Sequence, residues 1–214
     1  KIFLIAYLLN AMREGIPHTL LVLIGKKEIS ELITAFLCND IMQFAGLAFL
    51  LVALTKQLKL SSFHTLLLAV VMNLIGSLLT GVQTGCYAFD QLLGMFWGTE
   101  TESYFPLFNW FLFVAAGRLF GKWYRRLTDK GRFYAITAPV SAICFAAFTY
   151  IVACTEPGLF RFNDEVGHGF CWMRLPDLLA CISCFPVMFA ICYWMAQLLP
   201  EKAHKYLCHP AVNV

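Results

Sequence analysis

The sequence predicts an all-α fold, a polytopic bundle of about six transmembrane helices. Of its 214 residues, 60% are hydrophobic and only 14% are charged, and the mean hydropathy is +0.70. Soluble domains carry about a quarter charged residues. Long apolar stretches are also separated by polar loops whose charge alternates along the chain. Both properties are typical of an integral membrane protein. The net charge of +3 is too small to indicate nucleic-acid binding.

The first two apolar stretches are short. Ile2–Met12 is too short for a complete crossing, and Arg13–Pro17 is predicted to break its helix. The piece that follows, Thr19–Gly25, fits a re-entrant segment, an interfacial segment or the start of another helix. Because the chain begins with Lys1 and enters apolar sequence at once, we expect it to be part of a longer protein.

Five longer stretches follow, each of a length that suits a membrane crossing: Ile33–Leu54, Thr65–Val82, Tyr104–Gly121, Phe133–Ala153 and Leu178–Leu199. Pro106 suits the first turn of its helix, where its missing N–H costs nothing, and Pro139 is expected to bend its helix. Asn73 and Ser77 are four residues apart, so they are predicted to share a face that turns toward other helices.

The charges of the loops orient these stretches. Basic loops fall at residues 55–64, 118–132 and 200–214, and acidic or cation-poor loops fall at 83–103 and 154–177. Because cytoplasmic loops carry an excess of Lys and Arg, the basic loops and the C-terminus are predicted to be cytoplasmic. The alternation is unbroken over these crossings, so residues 1–214 are predicted to form a single integral membrane domain.

No motif of a soluble enzyme is present, and the candidates for chemistry are therefore polar side chains in apolar surroundings. Asp40 opens the apolar run DIMQFAGLAFLL, and Gln43 lies one turn later. One interpretation is that the Asp40 carboxylate faces a cavity at the outer surface, as a base or as an anchor for a substrate. The alternative is that it caps the helix that begins there.

A basic face follows the stretch Tyr104–Gly121. Arg118, Lys122 and Arg125 fall at spacings of four and three, so they share one helix face, and Arg126 adjoins them. Guanidinium and ammonium groups suit the phosphates of a nucleotide-bearing donor such as coenzyme A. The alternative is ordinary anchoring at the cytoplasmic interface.

Two histidines are candidates for relaying an acyl group or for acting as a general base. His18 follows the predicted break in the first helix, and His168 lies in the outer loop NDEVGHGFCW. Three asparagines within apolar stretches are expected to join helices by hydrogen bonds instead: Asn10, Asn73 and Asn109.

The cysteines indicate no metal site. Cys181 and Cys184 form a C-x-x-C pair inside an apolar stretch, without the second pair that a zinc site needs. Cys86, Cys154 and Cys171 fall in loops on the predicted outer side, where two of them would form a disulfide if that side is oxidising. The sequence does not choose which two.

Three stretches together resemble a known family. KIFLIAYLLNAM, NDIMQFAGLAFLLVAL and YFPLFNWFLFVAAGRLFG are similar to three helices of bacterial heparan-α-glucosaminide N-acetyltransferase-like proteins, whose superfamily includes the acyltransferase-3 membrane proteins. The resemblance covers roughly residues 1–121. The motif positions that carry it are Asn10, Asp40, Gln43, Pro106, Trp110, Gly117 and Gly121.

The resemblance implies a multi-pass transferase of the bacterial plasma membrane. Such proteins take an acyl group from acetyl-coenzyme A on the cytoplasmic side and pass it to a sugar or other acceptor on the far side. The family's helix with an R-x-x-x-hydrophobic-D-x-x-R-G signature, and the catalytic His after it, are not found in this sequence. Directly after Gly117, where the family usually has an apolar or aromatic residue, this sequence has Arg118. We therefore expect the C-terminal portion of a longer acyltransferase domain, inactive by itself, or a diverged relative without catalysis.

The sequence thus predicts a portion of a membrane acyltransferase that works between the lipid bilayer, acyl-coenzyme A and a carbohydrate acceptor, with homo-oligomers possible. The donor would bind near the basic face, and the acceptor near Asp40 and the outer loops. One rival is a transporter or flippase of a small polar or lipid-linked substrate, in which Asp40 and Asn73 line a path. We see no internal repeat to support it. The other rival is a structural or partner-binding membrane subunit.

Overall fold

A computed structural model describes residues 2–99, 103–155 and 173–199 of the chain. Nine α-helices occur in these ranges: α1 (Ile2–Asn10), α2 (Ile16–Leu23), α3 (Ile29–Leu37), α4 (Ile41–Gln57), α5 (Ser62–Leu79), α6 (Tyr87–Gly94), α7 (Leu107–Tyr124), α8 (Lys130–Thr155) and α9 (Leu175–Leu198). The described ranges contain no β-strand beyond one isolated bridge between Asn39 and Ser103. The prediction of an all-α membrane helix bundle is confirmed.

The first helix continues through Arg13–Pro17, so the predicted break is wrong. Ala11–Gly15 form a π-helical turn between α1 and α2, and the backbone is helical at both of its borders. The N–H of Ile16 bonds to the carbonyl of Ala11, five residues back. This wider turn brings Pro17 into the first turn of α2, where a missing N–H is tolerated. Thr19–Gly25 is therefore the end of one helical run and not a separate segment.

The predicted span Ile33–Leu54 is two helices, α3 and α4, because the chain is extended between them. Cys38 has a ψ of 131° and Asp40 a ψ of −178°. The Asn39 carbonyl in this break accepts the backbone N–H of Tyr104 at 3.0 Å. Asp40 is the N-cap of α4, which begins at Ile41, and Asp is one of the residues that helix N-caps favour. The prediction of a single span from Ile33 to Leu54 is therefore wrong, although a cap at Asp40 was one of the two interpretations of that residue.

The later helices lie close to the predicted stretches. Pro106 is the N-cap of α7, one position before the helix, and Pro139 and Pro186 lie inside α8 and α9. The short helix α6 within the loop 83–103 was not predicted. Among the described residues α5, α8 and α9 are long and apolar enough to cross a membrane. The total of about six crossings stays a prediction.

Two extended helix pairs, α5 with α7 and α8 with α9, form most of the packing. The core around α5 and α7 contains Ala69, Met72, Phe111 and Leu112, all of them buried. We call the end where α4 and α7 finish and α5 and α8 begin the basic end, since Lys56, Lys122, Arg125 and Arg126 lie there. We call the opposite end, where α4, α7 and α9 begin, the distal end.

Two helix glycines in this bundle should respond differently to a Cβ. At Gly76 of α5 a Cβ would lie 2.8 Å from the Cβ of Phe108 and 2.9 Å from Oδ1 of Asn109, whereas at Gly117 of α7 it would meet nothing within 4 Å. We expect Gly76→Ala to destabilise the protein by about 1 kcal/mol through overpacking, and Gly117→Ala to be neutral or slightly stabilising. Unfolding in mixed detergent micelles measures both. Equal effects would contradict the close approach of α5 and α7.

Candidate functional site

Asp40 caps α4 and forms an ion pair at the distal end. Its Oδ1 accepts the N–H of Ile41 at 2.7 Å, and its own N–H bonds to Oε1 of Gln43 at 3.2 Å, which completes a capping box. Its Oδ2 lies 2.7 Å from Nη1 of Arg13 in the π-helical turn. The capping interpretation of Asp40 is confirmed. The carboxylate is also the first member of a charged cluster.

That cluster extends from Asp40 to His18, so the structure brings two of the sequence-predicted candidates together. Nε of Arg13 lies 3.1 Å from Oε1 of Glu14. The Glu14 carbonyl lies 2.9 Å from Nδ1 of His18, and Nε2 of His18 lies 2.8 Å from Nζ of Lys27. Lys27 in turn pairs with Glu31 at 3.1 Å. The side chains of Asp40 and His18 are each 18% exposed, so both are largely buried, whereas Arg13 is 57% exposed.

Buried amides lie beside the cluster with unused hydrogen-bonding atoms. Nδ2 of Asn39 donates to the carbonyl of Gln91 at 3.1 Å. Oδ1 of Asn39, Nε2 of Gln43 and Oε1 of Gln91 are buried and have no hydrogen-bond partner among the described residues. Such atoms usually bond to a water or to a polar ligand, since an unpaired buried polar atom is costly. The distal end therefore offers polar groups to a ligand as well as charges.

The loop above these amides is fixed by an ionised carboxylate. Oδ1 of Asp90 accepts the backbone N–H of Thr84 at 2.7 Å and the Thr84 hydroxyl at 2.8 Å. The backbone hydrogen bond from Thr84, with the hydroxyl bond in support, lowers the pKa of Asp90 below its ordinary value of 3.8. Asp90 is itself buried, and these bonds tie the start of the distal loop to α6.

Arg118 lies between three helices at the basic end. Its Nη1 donates to the Thr55 hydroxyl of α4 at 3.0 Å and lies 3.5 Å from the Thr65 hydroxyl of α5. Both threonines are almost completely buried, and Arg118 itself is half-buried. No carboxylate forms an ion pair with Arg118 in the part of the chain that the structure describes.

The other three predicted donor-site residues are exposed just beyond Arg118. Lys122 lies in the last turn of α7, and Arg125 and Arg126 follow the helix. Nε of Arg125 donates to the carbonyl of Gly121 at 3.2 Å, which caps the end of α7. The structure therefore gives one basic group an internal position and leaves three at the surface.

The three asparagines join helices, as expected. Nδ2 of Asn10 donates to the Cys38 carbonyl at 2.8 Å, which ties α1 to the break before α4. Nδ2 of Asn73 reaches the carbonyls of Asn109 and Met173, at 3.2 and 3.1 Å, and Asn109 reaches Met173 at 3.2 Å. Asn73 is completely buried. Among the described residues Asn73 therefore faces other helices and not an open path, which does not favour the role that the transporter interpretation gives it.

Some of the predictions fall on residues that the structure does not describe. His168, Cys171 and the tail 200–214 lie outside the described residues. Cys86 and Cys154 are both free, so they are not joined to each other. Within ranges 2–99, 103–155 and 173–199, no group of three or more His, Cys, Asp or Glu side chains is placed to hold a metal ion.

Sequence reasoning missed the residues that connect the candidates. Arg13, Glu14 and Lys27 link Asp40 to His18, and Thr55 and Thr65 hold Arg118. One signal was available: Glu14 and His18, and Lys27 and Glu31, are four residues apart and so share a helix face where the helix is regular. The predicted break at Arg13–Pro17 removes this signal for Glu14 and His18, whereas the structure has a π-helical turn there. The contacts with Thr55 and Thr65 have no signal in the sequence.

Comparison with known protein families identifies the family of the chain. The chain matches the family described as heparan-alpha-glucosaminide N-acetyltransferase, catalytic, over residues 1–150. The match covers α1 to α7 and most of α8, and so includes both the distal cluster and the basic end. No curated protein and no solved structure shows a significant match to the chain. With more than half of its residues matched, the chain belongs to the heparan-α-glucosaminide N-acetyltransferase family of membrane acetyltransferases.

Proposed function

We propose that this chain is part of a membrane acyltransferase that binds acyl-coenzyme A at its basic end and an acceptor, such as a carbohydrate, at its distal end. The family match over residues 1–150 is the observation that carries the proposal. In this proposal the basic end faces the cytoplasm of a bacterial cell, as the positive-inside rule predicts, and the C-terminus lies on the same side.

The position of Arg118 supports a donor site at the basic end. A half-buried guanidinium without a carboxylate partner in the described chain is costly in an apolar bundle, and an anion offsets that cost. Thr55 and Thr65 occupy one nitrogen, Nη1, which leaves other N–H groups of the fork for phosphate oxygens. Lys122, Arg125 and Arg126 at the adjoining surface would hold further phosphates of the same donor.

The distal cluster supports an acceptor site at the opposite end. Asp40 lies fifteen residues before Thr55, so the two sites are about 22 Å apart along α4 at 1.5 Å per residue. The acyl group would therefore travel through most of the bundle between donor binding and transfer. Bringing the two reactants together across the bilayer is where the rate enhancement would arise.

Coenzyme A binding tests the donor site. We expect the double variant Arg118→Ala, Arg125→Ala to bind coenzyme A at least tenfold more weakly than the wild-type protein in micelles. Each of the two substitutions removes a charge-assisted hydrogen bond to the donor. Lys56→Gln at the same end is the matched control, since Lys56 is exposed on α4 and is expected to leave binding unchanged. A folded wild-type protein that does not bind coenzyme A would overturn the donor site. Binding that the double variant leaves intact would reduce the basic face to an anchor.

A further inference from the structure

We propose that the cavity between α7 and α9 binds one acyl chain of an anionic phospholipid from the leaflet at the basic end, and that Lys130 contacts the phosphate of this lipid. The cavity lies apart from the proposed donor and acceptor sites. The inference therefore goes beyond the proposed acyl transfer and does not depend on it.

The cavity lies where the two extended helix pairs of the bundle meet. α7 packs mainly on α5 and α9 packs mainly on α8, and a space of about 290 Å³ is left between α7 and α9. Gly117 lines this space from α7, and a Cβ at that position would meet nothing within 4 Å. Pro186 lines it from α9, where it has no N–H for the carbonyl of Ile182 one turn earlier. A glycine on one helix and a proline on the other thus favour an open space here.

Aromatic rings close the cavity at both ends. Phe113 of α7 meets Phe185 of α9 with 6.1 Å between the ring centroids, and nearer the basic end Phe120 meets Phe189 at 5.9 Å. All of the residues that line the space are apolar. Such a lining offers no partner to the amides of a pantetheine arm or to the hydroxyls of a sugar, whereas it suits a hydrocarbon chain.

The cavity is open to the side, at the depth of the lipid tails. Gly117 is exposed, and Phe185 and Phe189 are 43% and 44% exposed although both line the space. Pro186 lies near the middle of α9, which is long and apolar enough to cross a membrane. An apolar opening at this depth faces hydrocarbon, so a lipid chain can enter it from the side.

The distance from the cavity to the basic end matches the length of one lipid leaflet. Phe113 and Tyr124 are eleven positions apart on α7, which corresponds to about 16 Å at 1.5 Å per residue. The hydrocarbon core of a bilayer is about 30 Å thick, so one leaflet supplies about 15 Å of chain. A chain that starts at the level of Tyr124 would therefore end between Phe113 and Phe185.

The faces of α7 separate this cavity from the proposed donor site. Gly117, Phe120 and Tyr124 recur at helical spacing, and they share the face that continues from the cavity to the basic end. Arg118 points instead to hydroxyl groups of α4 and α5, and it is not among the residues that line the cavity. A donor held by Arg118 and a lipid held in the cavity would thus lie on different sides of the same helix.

Positive charge lies at the basic end of the cavity face. Residues 125–132 contain four basic side chains and one acidic side chain, Asp129, whose carboxylate bonds to the first turn of α8. Nζ of Lys130 lies over the ring of Tyr124, 5.1 Å from its centroid, and Tyr124 stacks on Phe120 at 5.7 Å. The ion pairs among the described residues do not include Lys130. Its ammonium is therefore placed to pair with the phosphate of a lipid whose chain lies in the cavity.

A photoactivatable lipid tests the cavity. The purified protein is placed in phosphatidylcholine vesicles that contain a phosphatidylglycerol with a diazirine near the methyl end of one chain. We expect light to attach this probe near Phe113 and Phe185, and a second probe, with the diazirine in the first half of the chain, to attach near Phe120 and Phe189. Peptide mass spectrometry locates both. Labelling spread evenly over the exposed apolar faces of α5, α8 and α9 would overturn the site.

Filling the cavity supplies the matched variants. Gly117→Leu places a side chain in the space, and we expect it to lower labelling near Phe113 and Phe185 several-fold. Gly117→Ala is too small to fill the space and should be labelled like the wild-type protein, so it controls for loss of the glycine. Ala147→Leu adds a leucine at an exposed position of α8 outside the cavity and should also leave labelling unchanged. Unchanged labelling of Gly117→Leu would overturn the proposal.

Changing the headgroup tests the role of Lys130. We expect phosphatidylglycerol to label the cavity several-fold more than phosphatidylcholine with the same diazirine chain. Lys130→Gln should reduce this preference, and Lys56→Gln, an exposed lysine of α4 at the same end, should retain it. Equal labelling by the two lipids would overturn the contact with an anionic headgroup. Because no step uses coenzyme A, failure here leaves the donor site untouched, and failure of the donor site leaves the lipid site untouched.

A second copy of this chain is the other occupant that these experiments would reveal. In that case the wild-type protein would show no lipid label at the cavity, and Gly117→Leu would reduce the number of chains per particle. That result would overturn the lipid site and assign the cavity to contacts between subunits.

Discussion

Asp40→Ala is expected to lower the free energy of unfolding by about 2 kcal/mol, because one side chain makes two separate contributions. Loss of the cap on α4 costs about 1 kcal/mol. Loss of the pair with Arg13 costs up to about 1 kcal/mol, a figure limited by the Arg13 side chain, which is 57% exposed. The Gln43 side chain of the capping box keeps its bond to the backbone N–H of residue 40 and cannot replace the missing carboxylate.

Asp40→Asn separates the two contributions. Its amide oxygen can still accept the N–H of Ile41, so the cap is retained, whereas the charge that pairs with Arg13 is lost. We expect this variant to lose at most about half of the effect of Asp40→Ala. Chemical unfolding in micelles, with Arg13→Gln and the double variant completing a cycle, measures the coupling. Equal losses in the two Asp40 variants would show that the ion pair, and not the cap, carries the stability.

Local chemistry in the sequence predicted much of the bundle. Apolar runs placed α5, α7, α8 and α9, because a helix of membrane length needs only a continuous apolar stretch. Asp40 was recognised as a possible cap because capping depends on residues that are adjacent in sequence. Asn10, Asn73 and Asn109 were interpreted correctly because an amide in an apolar segment has few alternatives to bonding another helix.

Contacts between distant residues decided what the sequence could not predict. The break at residues 38–40 is stabilised by bonds to Asn10 and Tyr104, which are 28 and 65 positions away from their partners. The π-helical turn contains Gly15, whose Cβ position faces the Phe36 ring of α3 at 3.7 Å. Periodicity within a segment contains no information on such partners. The charged cluster forms only because these two irregular features lie at the same level of the bundle.

The two candidate sites differ in how they treat charge. At the distal end the charged side chains are paired with one another, so a ligand there has to displace an existing partner such as Lys27. At the basic end the partners of Arg118 within the described part of the chain are two hydroxyl groups, so an anion can add without displacing a charged partner. This contrast fits a tightly bound anionic donor and an exchangeable neutral or cationic acceptor, which is the division of roles in the proposed transfer.

Asn73→Asp is expected to destabilise the protein more than any other change proposed, by about 3 kcal/mol or more. Asn73 is completely buried, and its Nδ2 group donates to the carbonyls of Asn109 and Met173. An ionised aspartate has no hydrogen to donate and would face two carbonyl oxygens in an apolar core. A protonated aspartate could satisfy only one of them. The variant has almost the same shape, so the effect reports hydrogen bonding and charge, not packing.

Two further variants complete this test. Asn73→Ala should cost about 2 kcal/mol, from two buried hydrogen bonds and a small cavity. Ser77→Ala is the matched control one turn later. Its hydroxyl donates to the carbonyl of Asn73 within the same helix, so the variant should change stability by less than about 0.5 kcal/mol. Unfolding in mixed micelles of a mild detergent and SDS ranks the three variants by stability. If Asn73→Asp were as stable as the wild-type protein, Asn73 would have to face water, and a polar path along α5 would again be an explanation for it.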